Sequence, residues 1–189
     1  MAQAARALKI FLRQPFTQSS KSDVARIQSV MDVIKRSDGK PYKLDFLTTP
    51  IAESEDSFKI AFETTQRKAF TPFNFRNHRL GLLKEADAFI IIKTSLSEST
   101  AFEVAYNIFG GRNVPMLFAI HESSFPIKTT LLRELDDLAS HVEYVTFKNG
   151  EDLQAPIQSF LKRVAEIMSA KSSVSEKPSS SQRPPMLPV

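Results

Sequence analysis

The run Ala86-Asp87-Ala88-Phe89-Ile90-Ile91-Ile92 constrains the fold more than any other part of the chain. Past Asp87 it shows no alternation of polar and apolar residues. A strand of that kind is buried on both faces, the situation of a central strand in a parallel sheet. A parallel neighbour requires a crossover connection, usually a helix. The flanking sequence supplies both partners and crossovers. Ala7–Leu12, Lys43–Thr48, Val114–Ile120 and Val142–Phe147 read as further strands. Between them, Ser22–Arg36 places Val24, Ile27, Met31 and Ile34 at helical spacing, with Ser22 read as the N-cap. Glu53–Phe70, Phe75–Glu85 (Leu80 and Leu83 inward), a segment ending at Phe109, Thr130–Leu138 and Leu153–Met168 also read as helices, and Gly110-Gly111 stops the fourth. This alternation predicts an α/β fold: a Rossmann-like, open, mainly parallel five-stranded sheet with helices on both faces.

The predicted domain spans residues 7–169. The tail that follows, 170–189, is different in kind: from Lys171 onward it holds six serines and four prolines in 19 residues. Such a composition buries too little apolar surface to order itself, so the tail is expected to be disordered. No stretch has the length and apolarity of a secretory signal or a membrane span, and the expectation is a cytoplasmic protein without a membrane partner.

Composition removes several chemistries. The chain has no cysteine, so thiolate nucleophiles, thiolate metal sites and disulfides are excluded. Three histidines and no HExxH leave no basis for a metal site. Neither GxGxxG nor GxxxxGK[ST] occurs, and no organic cofactor is expected. The net charge of +4 is too small to indicate a nucleic acid polymer. It is concentrated, however: Lys59 to Lys93 carries seven Lys/Arg against three acids, enough to attract a small anion or simply to form a solvated helix face.

In open α/β sheets, ligands collect at the carboxyl ends of the strands. Three segments of this sequence fall there: Arg13-Gln14-Pro15-Phe16, the hydroxyl-rich loop Thr94 to Thr100 leading to Glu103, and His121-Glu122-Ser123-Ser124. The loop is the most informative. Ser97, Ser99 and Thr100 lie just before a helix N-terminus, where free amides and the helix dipole favour an anion. Glu103, expected on the first turn of that helix, can face the ligand crevice and attack or stabilise an electron-poor carbon. The pattern Thr100-x-x-Glu103 also fits a capping box, in which the glutamate reaches back to its own helix start, and pattern alone favours that assignment. Tyr106 reads as a packing residue.

Two blocks resemble the nucleoside 2-deoxyribosyltransferase family. Glu85 to Ile92 followed by Ser99-Thr100-Ala101-Phe102-Glu103-Val104-Ala105-Tyr106 is similar to that family's "aD.via" strand and its "S/G-T-A-F-E-I-G-Y-A" helix start. Lys9-Ile10-Phe11-Leu12-Arg13-Gln14-Pro15-Phe16 is similar to its "kIfLagPF" strand and loop. The resemblance covers roughly residues 8 to 150. The Thr-x-x-Glu start also occurs in phosphoribohydrolases, but their Pro-Gly-Gly turn is missing here. The resemblance implies that Glu103 is a nucleophile at the anomeric carbon of a nucleoside or nucleoside 5'-monophosphate. It also implies a glycosyl-enzyme resolved by water or by a second base, and a homodimer or larger oligomer whose sites share residues.

The departures from the family pattern are specific. Arg13 and Gln14 replace small residues; the arginine suits a phosphate. Phe75-Arg76-Asn77-His78-Arg79 stands where the family commonly carries an aspartate. Arg13, Gln14, Pro15, Phe16, His78, Ser97, Ser99, Thr100 and His121 are therefore the expected substrate-binding residues around a catalytic Glu103. Two other readings remain open at this point: an NAD-cleaving domain of the TIR-like kind, and a non-catalytic nucleotide-binding module in which Glu103 only caps its helix.

Overall fold

A computed structural model describes residues 7–15, 20–39, 41–49, 54–95, 97–139 and 141–175. Five strands, β1 (Leu8–Arg13), β2 (Leu44–Phe46), β3 (Ala88–Lys93), β4 (Met116–His121) and β5 (Val142–Phe147), form one sheet in the order β2-β1-β3-β4-β5. Every pairing is parallel. The expected Rossmann-like α/β arrangement is thus what the chain adopts, with a sheet that is wholly parallel.

Strand parity sorts the core into two halves. Leu8, Ile10 and Leu12 of β1 and Ala88, Ile90 and Ile92 of β3 pack against α1 (Lys21–Arg36) and α5 (Gln154–Ser175). Phe11 of β1 and Phe89 and Ile91 of β3 face the other way, in the layer that holds Leu83 of α3 (Pro72–Glu85) and Val104 of α4 (Glu98–Phe109). All six residues of β3 are buried, as expected of a strand covered on both sides. Asp87, just ahead of β3, accepts the Lys9 N–H at 2.9 Å and ties the start of β3 to β1.

Several boundaries differ from the sequence expectation, each for a local reason. The α1 cap is Ser20, not Ser22: Ser20 Oγ accepts the Asp23 N–H at 3.2 Å and Asp23 accepts the Ser20 N–H at 3.0 Å, a reciprocal box that begins the helix one residue before Ser22. Ser20→Ala is expected to cost about 1 kcal/mol in urea denaturation and Ser22→Ala distinctly less; equal effects would reject this assignment. The helix expected over Thr130–Leu138 reduces to a single 3-10 turn, Thr130–Leu132. The Tyr144 hydroxyl takes the backbone groups a helix would have used, donating to the Leu132 carbonyl and accepting the Leu135 N–H, both at 3.0 Å. Glu134 between them turns left-handed at φ 53°.

The second helix, α2, covers Glu55–Gln66, shorter than the expected Glu53–Phe70, and ends where Arg67 enters the left-handed region at φ 51°. The third starts earlier than expected, on the Thr71 cap with Pro72 at its first turn. Gly110 does end α4: a Cβ there would lie 2.3 Å from the Tyr106 carbonyl oxygen. The last helix runs on to Ser175, past the expected domain end; the rest of the expected tail, 176–189, lies outside the described residues. None of the described helices is long and apolar enough to cross a membrane.

Candidate active site

The strand order places the reversal of winding between β1 and β3. In doubly wound sheets the ligand crevice opens at that point, beyond the carboxyl ends of the two strands. Arg13 is the last residue of β1 and Lys93 the last of β3. Arg13 is in register with Ile91, so Lys93 lies two residues further along on the adjacent strand. By parity both share the face of Phe89 and Ile91, towards α3 and α4. Those helices bring in Arg79 and Glu103.

Glu103 does not cap its helix. The α4 cap is Ser97, which puts Glu103 in the second turn, out of reach of the free amides. Its carboxylate lies instead in a buried cradle of two guanidinium groups. Arg79 Nε donates to Oε1 at 2.8 Å, and Arg13 Nε stands 3.2 Å from Oε2. All three residues are about 4% exposed. The contact at Oε2 is an ion pair without hydrogen-bond alignment, so Oε2 accepts no hydrogen bond. Burial pushes the Arg13 guanidinium down to about 10; Glu103 opposes that shift and Arg79 adds to it.

The support behind the cradle is aromatic. Arg79 lies over the Phe11 ring, 4.2 Å from its centre, and Phe11 meets Phe89 edge to face at 5.1 Å. A guanidinium stacked in this way is fixed in plane and direction. The hydroxyl loop joins the same network: an Arg13 Nη2 donates to Ser97 Oγ at 3.3 Å, and Thr100 Oγ1 donates to Ser97 Oγ at 3.0 Å.

Two cavities of about 250 Å³ each meet at Arg79. One is lined by Phe75, Arg76, Arg79, Ser99, Phe102 and Glu103 among others. The other lies under α2 and α3, with Thr48, Thr49, Phe58, Phe62, Gln66, His78 and Arg79 on its walls. Phe58, Phe62, Phe70 and Phe75 form an edge-to-face aromatic cluster beside it.

The sequence-predicted residues divide accordingly. Arg13, Ser97, Thr100 and Glu103 form one bonded group, and Ser99 shares a cavity wall with Glu103. Gln14 and Pro15 are buried directly after β1. Phe16 lies outside the described residues. His78 lines the second cavity, edge-on to Phe62 at 5.4 Å, where burial and then Arg79 push its imidazole below the ordinary range.

His121 is elsewhere. Its parity is that of Leu117 and Ala119, so it faces α1 and α5, on the side of the sheet opposite Glu103. There its Nδ1 is 2.7 Å from Ser123 Oγ, its ring packs edge-on to Phe147, and burial followed by Arg26 lowers its titration. Tyr106 is partly buried in the α3/α4 layer.

Arg79 and Lys93 were not among the expected site residues. Both were open to a parity argument. Arg79 is one helical turn before Leu83, on the stripe expected to point inward, and Lys93 continues the Phe89-Ile91 series. Among the described residues no cluster of three or more His, Asp or Glu is arranged to hold a metal ion.

The fold and site together define a doubly wound α/β protein with a buried carboxylate between two arginines at its switch point. No protein-family model and no curated protein matches the chain. Among solved structures, the chain resembles the Clostridium botulinum CMP N-glycosidase BcmB, with a TM-score of 0.52 and 16% sequence identity, over 80% of this chain and 98% of that one. The two share a fold.

Proposed function

We propose that the protein cleaves the N-glycosidic bond of a nucleoside or nucleoside 5'-monophosphate, with Glu103 as the nucleophile. The observation that carries the reading is the state of the Glu103 carboxylate. One oxygen is anchored by Arg79, and the other accepts no hydrogen bond, on a side chain that lines a cavity at the switch point. Most buried polar atoms are hydrogen-bonded, so a buried carboxylate oxygen that has an ion pair but no hydrogen bond calls for an explanation. A carboxylate held for attack needs an oxygen with a lone pair to give. The shared fold with a CMP N-glycosidase supports the same class of substrate.

In this reading Oε2 attacks C1' as the C1'–N bond breaks, and the electron pair of that bond leaves with the base, which takes a proton from water. The transition state has oxocarbenium character and is stabilised by the adjacent negative charge. The resulting glycosyl ester is then opened by water, which supplies the hydroxyl at C1' and returns a proton to solvent as the carboxylate leaves. We read hydrolysis as the main outcome, with transfer to a second base as the variant of the second step. Arg79 keeps the carboxylate aimed. Its Nη2, buried and without a hydrogen-bond partner among the described residues, is a donor for a substrate oxygen. The aromatic cavity beside His78 suits a planar base.

Incubation with a panel of nucleosides, nucleoside monophosphates and NAD, followed by chromatography, tests this. The expected result is equimolar free base and sugar or sugar phosphate from at least one nucleoside or nucleotide. Nicotinamide release from NAD alone would move the substrate to the dinucleotide. Tight binding without turnover of any compound would make the cradle a recognition site and reject the proposal.

A further inference from the structure

His121 lies on the far face of the sheet from Glu103, yet its hydrogen bonds lead back towards the nucleophile. It is the last residue of β4, and its Nδ1 accepts the Ser123 N–H at 3.2 Å, which caps the short 3-10 turn Glu122–Ser124. The Ser123 hydroxyl stands 2.7 Å from the same nitrogen. Ser124, the last residue of that turn, donates its hydroxyl to the Thr94 carbonyl at 2.7 Å. Lys93 is in register with Ile120, so Thr94 follows as the next position after β3 and His121 as the next of β4. The Ser124 bond therefore carries the contact between the two strands one step past their last register pair.

Thr94 is the root of the hydroxyl loop. Three residues on, Ser97 is the cap residue of α4, and its Oγ accepts from Arg13 and from Thr100. Arg13 in turn stands 3.2 Å from Oε2, the oxygen assigned to the attack, and Glu103 rides on α4 itself. Where the loop leaves β3 thus bears on how Arg13 and the carboxylate meet, and Ser124 fixes that point from the β4 side. A turn of three residues has few bonds of its own, so it depends on its cap more than a long helix does.

We propose that His121 is a positioning residue: its Nδ1 holds the 122–124 turn and, through Ser124 and Thr94, the loop that sets Arg13 against the Glu103 nucleophile. The inference rests on the function proposed above. It makes the site respond to a proton taken up on the opposite face of the sheet. A proton from solvent on Nδ1 turns that acceptor into a donor. It can then donate to the Ser123 hydroxyl, but the Ser123 N–H loses its partner and the turn loosens at Ser124. Several groups face the ring. Arg26 and Asp23 approach from α1, Glu122 from the turn itself, and the Phe147 ring and the Lys148 backbone from the end of β5. Burial and then Arg26 hold the imidazole below the ordinary histidine range, against Glu122, the Lys148 backbone and Asp23. The uncharged acceptor is therefore the form present at neutral pH, and its hold is released as pH falls through the lowered midpoint.

The test follows the full chain by NMR and by base release between about pH 8 and about pH 5, the range in which a histidine changes charge. In wild type without substrate, the amide resonances of Ser97 and Thr100 are expected to shift with the midpoint of the His121 ring. In Ser124→Ala the ring should still titrate while those two amides no longer follow it. In His121→Asn, whose side-chain oxygen is a good cap acceptor and takes up no proton, they should keep their high-pH positions throughout. Base release is expected to run in parallel. The wild-type kcat falls on the acid side with the His121 midpoint. His121→Asn keeps a rate within about twofold of wild type at the upper end and lacks that fall, whereas His121→Leu, with no acceptor, stays about 10-fold below the wild-type maximum across the range. His78 also titrates below the ordinary range, but its effect is common to all these variants, so the difference between wild type and His121→Asn isolates His121.

Ser97 and Thr100 amides that ignore the His121 midpoint overturn the proposal, as does an acid-side fall in kcat that is the same in wild type and His121→Asn. If His121→Leu does not fold, the other two variants still decide, since His121→Asn keeps the cap acceptor and Ser124→Ala leaves the ring untouched. The outcomes separate from those of the proposed function. Coupled midpoints without base release from any compound uphold the link from His121 to the loop and reject the glycosidase; base release with amides that do not follow His121 does the reverse.

Discussion

Glu103→Gln is expected to lower the rate of base release by about 10³-fold or more, at least roughly 4 kcal/mol in the activation barrier, with a much smaller change in KM. The amide preserves an acceptor for Arg79 Nε, so the cradle on the Oε1 side can persist. It removes the anion that stabilises the oxocarbenium carbon and the oxygen that would form the glycosyl ester. Both losses fall on the transition state, which is why kcat carries the effect. A further variant distinguishes chemistry from architecture. Glu103→Ala opens space where the carboxylate was, and azide supplied in solution can enter it and attack C1' in its place. Partial recovery of base release, with a glycosyl azide as product, is the expected outcome. If Glu103→Gln, measured at matched folded fraction, releases base at the wild-type rate, the carboxylate is a structural counter-ion and the nucleophile lies elsewhere.

The parts of this molecule that were legible in the sequence are those set by local periodicity. The unbroken run through Ile92 marks the central strand, and all six residues of that strand are buried. What escaped depends on partners distant in sequence. Nothing within Thr130–Leu138 announces that the Tyr144 hydroxyl, arriving from β5, will take the Leu132 carbonyl and the Leu135 N–H. A capping box read from Thr100-x-x-Glu103 is equally a local inference. It failed because α4 begins at Glu98 and because Arg79, on another helix, offers the carboxylate a better partner than its own backbone does. Arg79 is hidden for a similar reason: the basic stretch from Lys59 to Lys93 does not say which of its charges turns inward. The pairing that buries it spans α3 and α4, and helical spacing within α3 shows only that position 79 points inward, not why an arginine is tolerated there.

Stability offers the second large effect, and it is asymmetric. Glu103→Leu removes the one negative group of the cradle and leaves Arg13, Arg79 and Lys93 buried together. Breaking a buried ion pair by deleting one partner costs about 3–5 kcal/mol, because the remaining charge is uncompensated. For a chain of this size that corresponds to a fall of about 10–15 °C in melting temperature. Arg79→Met deletes the opposite sign. Glu103 keeps Arg13 at 3.2 Å, one like-charge repulsion disappears, and the methionine can still pack on Phe11. The expected cost is about 1–2 kcal/mol, less than that of Glu103→Leu. The double variant should be less destabilised than the sum of the two, since losing Arg79 relieves part of the charge excess that losing Glu103 creates. Urea denaturation of the four proteins gives the cycle directly. Equal costs for the two single variants, or strict additivity in the double, would mean that the cradle is held by packing and that its charge balance is incidental.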